Sequence, residues 1–544
     1  MLVEWNTVTS AVCSYNTHRI NVIDIGATLQ PESDCNMPCS GNSSEICGAG
    51  DRLTYYTWGG SPLYVWEFPT GNDAGLYEFL IGGVVVPLLT TASTNGKVTF
   101  LEKYGIGPPN STGAYKLDLT QINNFTAAWR TMHVKTDIFC SGSVILPDRV
   151  GRQINVGGWA NDATCGVRLY WPDGSLGQPS TNDWEENVNE LSLQAGRWYP
   201  SVMVMANGSL LVVDGEEGSN GAPVPSLKIL PKVGPTIFCD YLDRTNPYNL
   251  YPFLAVLPSG GVLITYYNEA RILDEVTLET TRTLSNIPGA GTAMLLPQYA
   301  PYTDPLTIII CGRSVPGPEV ALDNCTIERM PSKRVETCMV ALPDGTYLIL
   351  NGGQQGRAGF GTSSDPNLNA LLYDPSKPVN QRISVMANTI IARSAILLMD
   401  GRVLVSGSDP EDSCYPQDIN NTDWAYGQTV PFTITSNSSG AIRVSLIGAV
   451  SSTHGNSMGQ HTIFPAFSCS GNFCTVTAPP NAYVSPPGWF MVFVLDGPTP
   501  SFATWVRIGG DPANLGSWPD YPDFTVPGSG PVEVWKSPCD GLTC

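Results

Sequence analysis

The chain has 544 residues, a formal charge of −20, 14% charged residues, 55 glycines and 45 prolines. Its length leaves room for several domains and a large core, and its glycine and proline content reads as many turns and few solvated helix faces. The acidic balance argues against nucleic acid or an anionic membrane as partner, and no apolar run reaches the ~18 residues needed to span a bilayer.

Residues 1–59 carry Cys13, Cys35, Cys39 and Cys47, dense enough for a small disulfide-stapled module. The opening MLVEWNTVTSAVC has no basic stretch followed by an apolar core, so no secretory leader is visible. The 15 cysteines, together with glycosylation acceptor patterns at Asn42, Asn110, Asn124, Asn207, Asn324, Asn420 and Asn437, nevertheless fit an extracellular glycoprotein. An odd cysteine count leaves at least one sulfur without an internal disulfide partner. The phrase PESDCNMPCSGNSSEICGAGDRLTYY resembles the second half of a WSC domain. That resemblance implies a partial wall-glycan-binding module, with a cell-wall glycan as a partner.

From residue 63 to 417 one phrase recurs. GSVILPDRVGRQINVGGWA begins at Gly142, PSVMVMANGSLLVVDGEE at Pro200, PFLAVLPSGGVLITYYN at Pro252 and TCMVALPDGTYLILNGG at Thr337. IIARSAILLMDGRVLVSG, from Ile390, is a further copy, and the stretch from Thr292 is a looser one. Each is an apolar strand, a turn of Pro, Asp, Asn or Gly, and a second apolar strand. Repeats of roughly 40–60 residues are the scale of kelch-like propeller blades, which bury hairpin faces by stacking around an axis. A β-sandwich with similar turns is the plainer alternative. Residues 418–527 lack the phrase and read as a separate all-β domain of immunoglobulin-like size. Residues 528–544 form a tail with Cys539 and Cys544.

The histidines are His18, His133, His454 and His461, without the spacing of a zinc site. No nucleophile elbow or dinucleotide-binding loop stands in a suitable context. Cys140 in TDIFCSG and Tyr199 in GRWYPS each stand just before a repeat phrase, where lead-in residues gather near a propeller axis. His454 stands in STHGNSMGQ, a glycine-flanked loop that could project towards that axis. The plainer readings are a disulfide half for Cys140, a core aromatic for Tyr199 and a solvated loop residue for His454.

FCSG, RWYP, NLYPF (Asn249 to Phe253), NGGQQG (Asn351 to Gly356) and THGNSMGQ occur in this order. Together they resemble the glyoxal oxidase branch of the copper radical oxidases, relatives of galactose oxidase, over residues 63–527. The resemblance implies a seven-bladed kelch-like β-propeller followed by an immunoglobulin-like β-sandwich. It implies one copper held by two tyrosines and two histidines, with Tyr199 and His454 matching one of each. It implies a thioether joining Cys140 to Tyr199 and carrying a radical. The implied reaction is oxidation of small aldehydes or alcohols by O2, giving H2O2.

The other two family ligands are an adjacent Tyr-His pair just before a phrase like ILLMDGRVLVSG. Here Arg393 runs directly into Ser394. Counted without a gap, Ile391 and Ala392 take the ligand positions; counted from Arg393, about four residues are missing. Three readings stay open: a defective copy of an active oxidase, a non-catalytic carbohydrate- or wall-binding propeller, or a substitute ligand such as His461 or Tyr415.

Overall fold

The computed structural model describes residues 18–23, 63–64 and 77–510 apart from 86, 103–112, 187–190, 220, 233, 286–290, 305, 315–320, 326–328, 357–362, 368, 380, 386–393, 407–421, 435–440 and 498. The chain is all-β, with only short helical turns among the described residues.

Each repeat phrase forms a hairpin. Ser201–Val204 pairs antiparallel with Leu210–Val213, and the connection turns at Gly208 with φ 82°. That positive φ is why a glycine stands there. Leu210, Leu211, Val212 and Val213 are fully buried, so the strand is covered on both faces and reads as a continuous apolar run. Each such side chain contributes about 1.5–3 kcal/mol on burial. Ser226–Leu230 and the exposed Ile237–Phe238 complete a four-stranded antiparallel sheet. The sheets that begin at Gly142–Ile145, Phe253–Val256, Thr292–Leu295 and Cys338–Ala341 follow the same plan.

One sheet is assembled from segments far apart in the chain. Ser394–Leu397 and Val403–Ser406 are joined by His18–Ile23 and then Tyr77–Gly83. The sequence placed His18–Ile23 in the cysteine-rich segment, but its backbone pairing puts it in this sheet. Leu63–Tyr64, expected at the start of the repeats, instead pairs in parallel with Thr433 and Ile434.

The innermost strands follow one another around a ring. Leu89–Ala92 lies beside Ser394–Leu397, then come Cys338–Ala341, Thr292–Leu295, Phe253–Val256, Ser201–Val204 and Gly142–Ile145. A hairpin from late in the chain, Ser451–Thr453 with Asn456–Met458, enters this ring. Its first strand pairs with Leu89–Ala92, and its second touches five of the innermost strands. The hairpin is pinned by Ser143 N–H to Met458 Sδ (3.4 Å), Thr292 Oγ1 to the Gly455 carbonyl (2.8 Å) and Ser457 Oγ to the Met339 carbonyl (3.1 Å).

The hairpin grows out of two further sheets. One contains Ile442–Gly448, Thr462–Phe464, Gly488–Asp496, Thr504–Gly510 and Thr422–Ala425; the other contains Thr429–Ile434, Phe473–Thr477 and Phe467–Ser470. Trp424, Phe432, Leu446, Ile463, Val476 and Val492 share the core of this part. Cys469 and Cys474 are disulfide-bonded across one of its hairpins. The looseness of the repeat at Thr292 now has a cause: between its two strands, Gln298–Tyr299 leaves to pair in parallel with Ile463 and Phe464.

Candidate active site at the ring axis

Cys140, Tyr199, Tyr251 and Glu336 each stand two residues before an innermost strand, with φ of 60°, 65°, 52° and 55°. Left-handed backbone at a non-glycine residue costs of order 1–3 kcal/mol and persists only where its surroundings enforce it. Here the backbone supplies the restraint. Tyr199 N–H donates to the Cys140 carbonyl at 2.8 Å, and Tyr251 N–H donates to the Tyr199 carbonyl at 3.1 Å. The lead-ins of three neighbouring sheets are thereby strung together.

The structure brings the three sequence candidates into one cluster. Cys140 Sγ lies 3.5 Å from His454 Nε2. The ring of Tyr199 is centred 5.3 Å from the imidazole and 4.3 Å from the Trp198 ring. Cys140 is a buried free thiol, which removes the disulfide reading. Tyr199, His454 and Glu336 are half-buried, so the cluster has a mouth.

The hydrogen bonds of Thr453 set the tautomer of His454. Its single hydroxyl proton goes to the Leu88 carbonyl at 2.7 Å, because a carbonyl can only accept. The 2.6 Å contact between Thr453 Oγ1 and His454 Nδ1 is therefore donated by the ring. Nε2 is left with its lone pair facing Cys140 and Tyr199. A hydroxyl or carbonyl behind one imidazole nitrogen, freeing the other as a donor, is how metal-binding histidines are held. Next to it, Gly455 has φ 75°, and a Cβ there would meet the Thr337 carbonyl at 2.5 Å.

Burial pushes the Cys140 thiol and the Tyr199 phenol well above their ordinary ranges, and the Glu336 carboxylate adds to both shifts. At neutral pH both groups keep their protons, so any cation bound there must displace them. Cys338, another buried cysteine outside any disulfide, is pushed up to about 11 by burial.

Arg197 anchors the lead-in of Tyr199. Fully buried, it donates from Nη1 to the carbonyls of Asp214 (2.6 Å) and Ser226 (2.9 Å) and from Nη2 to Ser226 Oγ (2.8 Å).

A copper ion suits nitrogen and oxygen donors in a tetragonal set. The Nε2 lone pair of His454 beside the Tyr199 phenol fits such an ion in kind and supplies one imidazole and one phenol. His133 is exposed and paired with Asp183 at 2.7 Å, and His461 is buried on Gln298 Oε1 at 2.8 Å, so neither reaches the cluster. Among the described residues, no three His, Cys, Asp or Glu side chains converge on a point that could hold a metal. The missing-pair join at Arg393, and Tyr415, lie outside the described residues. Sequence reasoning quoted NLYPF without giving Tyr251 a role, and missed Thr453, Glu336 and Arg197. The recurring two-residue offset before each strand was the signal for Tyr251 and Glu336.

An all-β ring of four-stranded sheets, entered by a histidine hairpin from a second pair of sheets, defines a galactose oxidase-like fold. Residues 416–508 match the family model "Galactose oxidase-like, Early set domain". Residues 119–321 and 311–425 match the model "Glyoxal oxidase N-terminus", and the chain belongs to this glyoxal oxidase family. A WSC domain-containing protein of Arthroderma benhamiae is 58% identical over 92% of this chain, which spans 60% of that relative's length. Aldehyde oxidase GLOX of Vitis pseudoreticulata is 26% identical, over 80% of this chain and 97% of that protein. A fungal alcohol oxidase of the AA5 family, solved in complex with copper, shares the fold. Its TM-score is 0.60 at 15% identity, over 78% of this chain and 98% of that one.

Proposed function

We propose that the chain is an extracellular copper radical oxidase of the glyoxal oxidase type, acting on small aldehydes or alcohols with O2. The observation that carries this reading is the convergence of the Cys140 thiol, the Tyr199 phenol and the His454 imidazole, with Nε2 3.5 Å from Cys140 Sγ, at the ring axis. Tyr199 and His454 would hold copper, which when bound supplies one-electron chemistry and access to O2. Cys140 and Tyr199 are the pair to be joined: the S–H and one ring C–H bond break, a C–S bond forms, and two electrons and two protons pass to O2. An alcohol oxidised here becomes an aldehyde, and a hydrated aldehyde becomes an acid; each turnover converts one O2 to H2O2.

The sheets of the ring are read as a seven-bladed kelch-like propeller over residues 63–417, closed by His18–Ile23. Residues 418–527 are read as an immunoglobulin-like sandwich, and the cysteine-rich stretch that follows His18–Ile23, up to residue 59, as a partial WSC-like module that binds wall glycan. The disulfide-bonded states of Cys165, Cys311, Cys469 and Cys474 support an oxidising, extracellular setting.

The test is metal analysis of the purified chain with H2O2 release on methylglyoxal, beside a variant with Tyr-His inserted between Arg393 and Ser394. Copper-dependent H2O2 release is the expected result, with copper bound about tenfold more tightly by the insertion variant, because it gains an imidazole and a phenol. A chain that neither binds copper nor turns over in copper-supplemented buffer overturns the oxidase reading and leaves a non-catalytic wall-binding propeller.

A further inference from the structure

Tyr251 packs against Tyr199 and His454 and bonds the residue next to Cys140. Its hydroxyl donates to the carbonyl of Ser141, the neighbour of Cys140, at 2.8 Å. Its N–H donates to the Tyr199 carbonyl at 3.1 Å. Its ring stands edge-on to that of Tyr199, 4.8 Å away at 75°, and lies 5.2 Å from the His454 ring. Asn456, on the histidine hairpin, donates to the Tyr251 carbonyl at 3.4 Å. The hydroxyl proton is given to the Ser141 carbonyl, on the backbone that carries Cys140.

We propose that Tyr251 is a positioning residue that clamps Cys140 against Tyr199 and backs the His454 ring, holding thiol and phenol in bonding register. Bond formation between two side chains needs the reacting atoms held about 3–3.5 Å apart and aligned. A hydroxyl fixing the Ser141 carbonyl fixes the left-handed turn at Cys140, and the edge-on ring limits rotation of Tyr199. One residue thus restrains both partners through independent contacts. The inference rests on the Cys140–Tyr199 pairing proposed above, and its test separates the two.

Tyr251→Phe removes only the hydroxyl. In protein produced without copper, the alkylation of Cys140 by iodoacetamide is followed by mass spectrometry beside that of Cys239, a buried free thiol in a different core cluster. Loss of the clamp opens Cys140 locally, so its alkylation is expected to rise about tenfold while that of Cys239 stays unchanged. Global loosening would move both thiols together, and that result, or no change at either, overturns the proposal. On addition of copper in air, the Cys140–Tyr199 peptide lighter by two hydrogens is expected to accumulate about tenfold more slowly in the variant; an equal rate overturns the proposal. A wild-type chain that never forms this peptide overturns the crosslink reading alone, and the thiol comparison still decides the clamp.

Discussion

Arg197→Met tests whether the mount of Tyr199 is electrostatic. The guanidinium is buried and remains charged at neutral pH: burial lowers its pKa to about 10, with the Asp214 carboxylate opposing that shift. Its three short bonds run to the Asp214 and Ser226 carbonyls and the Ser226 hydroxyl. Its own backbone ties two sheets together, through Arg197 N–H to the Thr164 carbonyl at 2.8 Å and Gly158 N–H to the Arg197 carbonyl at 3.0 Å. Removing one partner from a buried charged network costs about 3–5 kcal/mol. The lower end applies, because burial already pushes the Asp214 carboxyl well above its ordinary range and protonation relieves the stranded charge. At ~2.1 cal/mol/K per residue, about 3 kcal/mol corresponds to a fall in Tm of about 4 °C for a unit the size of the proposed propeller, roughly 350 residues, read by calorimetry. Arg197→Lys keeps the charge but not the planar fork, and is expected to lose about half as much. In both variants the Cys140–Tyr199 crosslink should form less completely, since Tyr199 follows the anchor by two residues. A methionine variant that melts within about 1 °C of wild type and crosslinks normally would refute the electrostatic mount.

Two further outcomes are expected. His461 is buried, bonded to Gln298, and lowered by burial to about 4 from an ordinary 6.5. The unfolded chain therefore binds the extra proton first, and stability falls as pH drops from about 6.5 towards 4, by up to about 3 kcal/mol. Urea unfolding at several pH values should show a shallower fall in His461→Gln than in wild type. Gly455→Ala places a methyl against the Thr337 carbonyl in left-handed backbone, and should cost about 1–3 kcal/mol in unfolding free energy while displacing His454 and weakening copper binding, measured by titration.

The fold was legible where one physical rule governed a long stretch. Apolar runs split by Asp-Gly or Asn-Gly turns became hairpins, as in Ser201–Val204 with Leu210–Val213. What escaped was pairing over long sequence distance between strands without a distinctive pattern. His18–Ile23 closes a sheet with Val403–Ser406, and Leu63–Tyr64 crosses to Thr433 and Ile434. Six extended residues, or two, carry no local sign of the partner they will find. The candidate site was legible in its chemistry and illegible in its support. Cys140, Tyr199 and His454 were named from short motifs and do converge. Thr453, which orients the imidazole, and Arg197, which mounts the phenol, act through backbone carbonyls, and any polar residue in a loop has those within reach on paper.

The left-handed lead-ins join these two levels. A strand entering a ring of sheets must turn sharply towards the axis, and at Cys140, Tyr199, Tyr251 and Glu336 the turn is made with a side chain that glycine would have spared. Keeping a costly conformation at corresponding places argues that the side chains are needed there, because glycine makes the same turn without strain. The same offset before Ser394–Leu397 falls on Ala392, which the ungapped count makes one of the two positions of the Tyr-His pair that the family resemblance implies. Three lead-ins thus bring a thiol and two phenols to one imidazole, while the residue at the corresponding offset before Ser394–Leu397 is an alanine, which carries no donor side chain. On the proposed oxidase reading, copper affinity, more than the fold or the geometry of the Cys140–Tyr199 pair, is therefore the property on which activity turns.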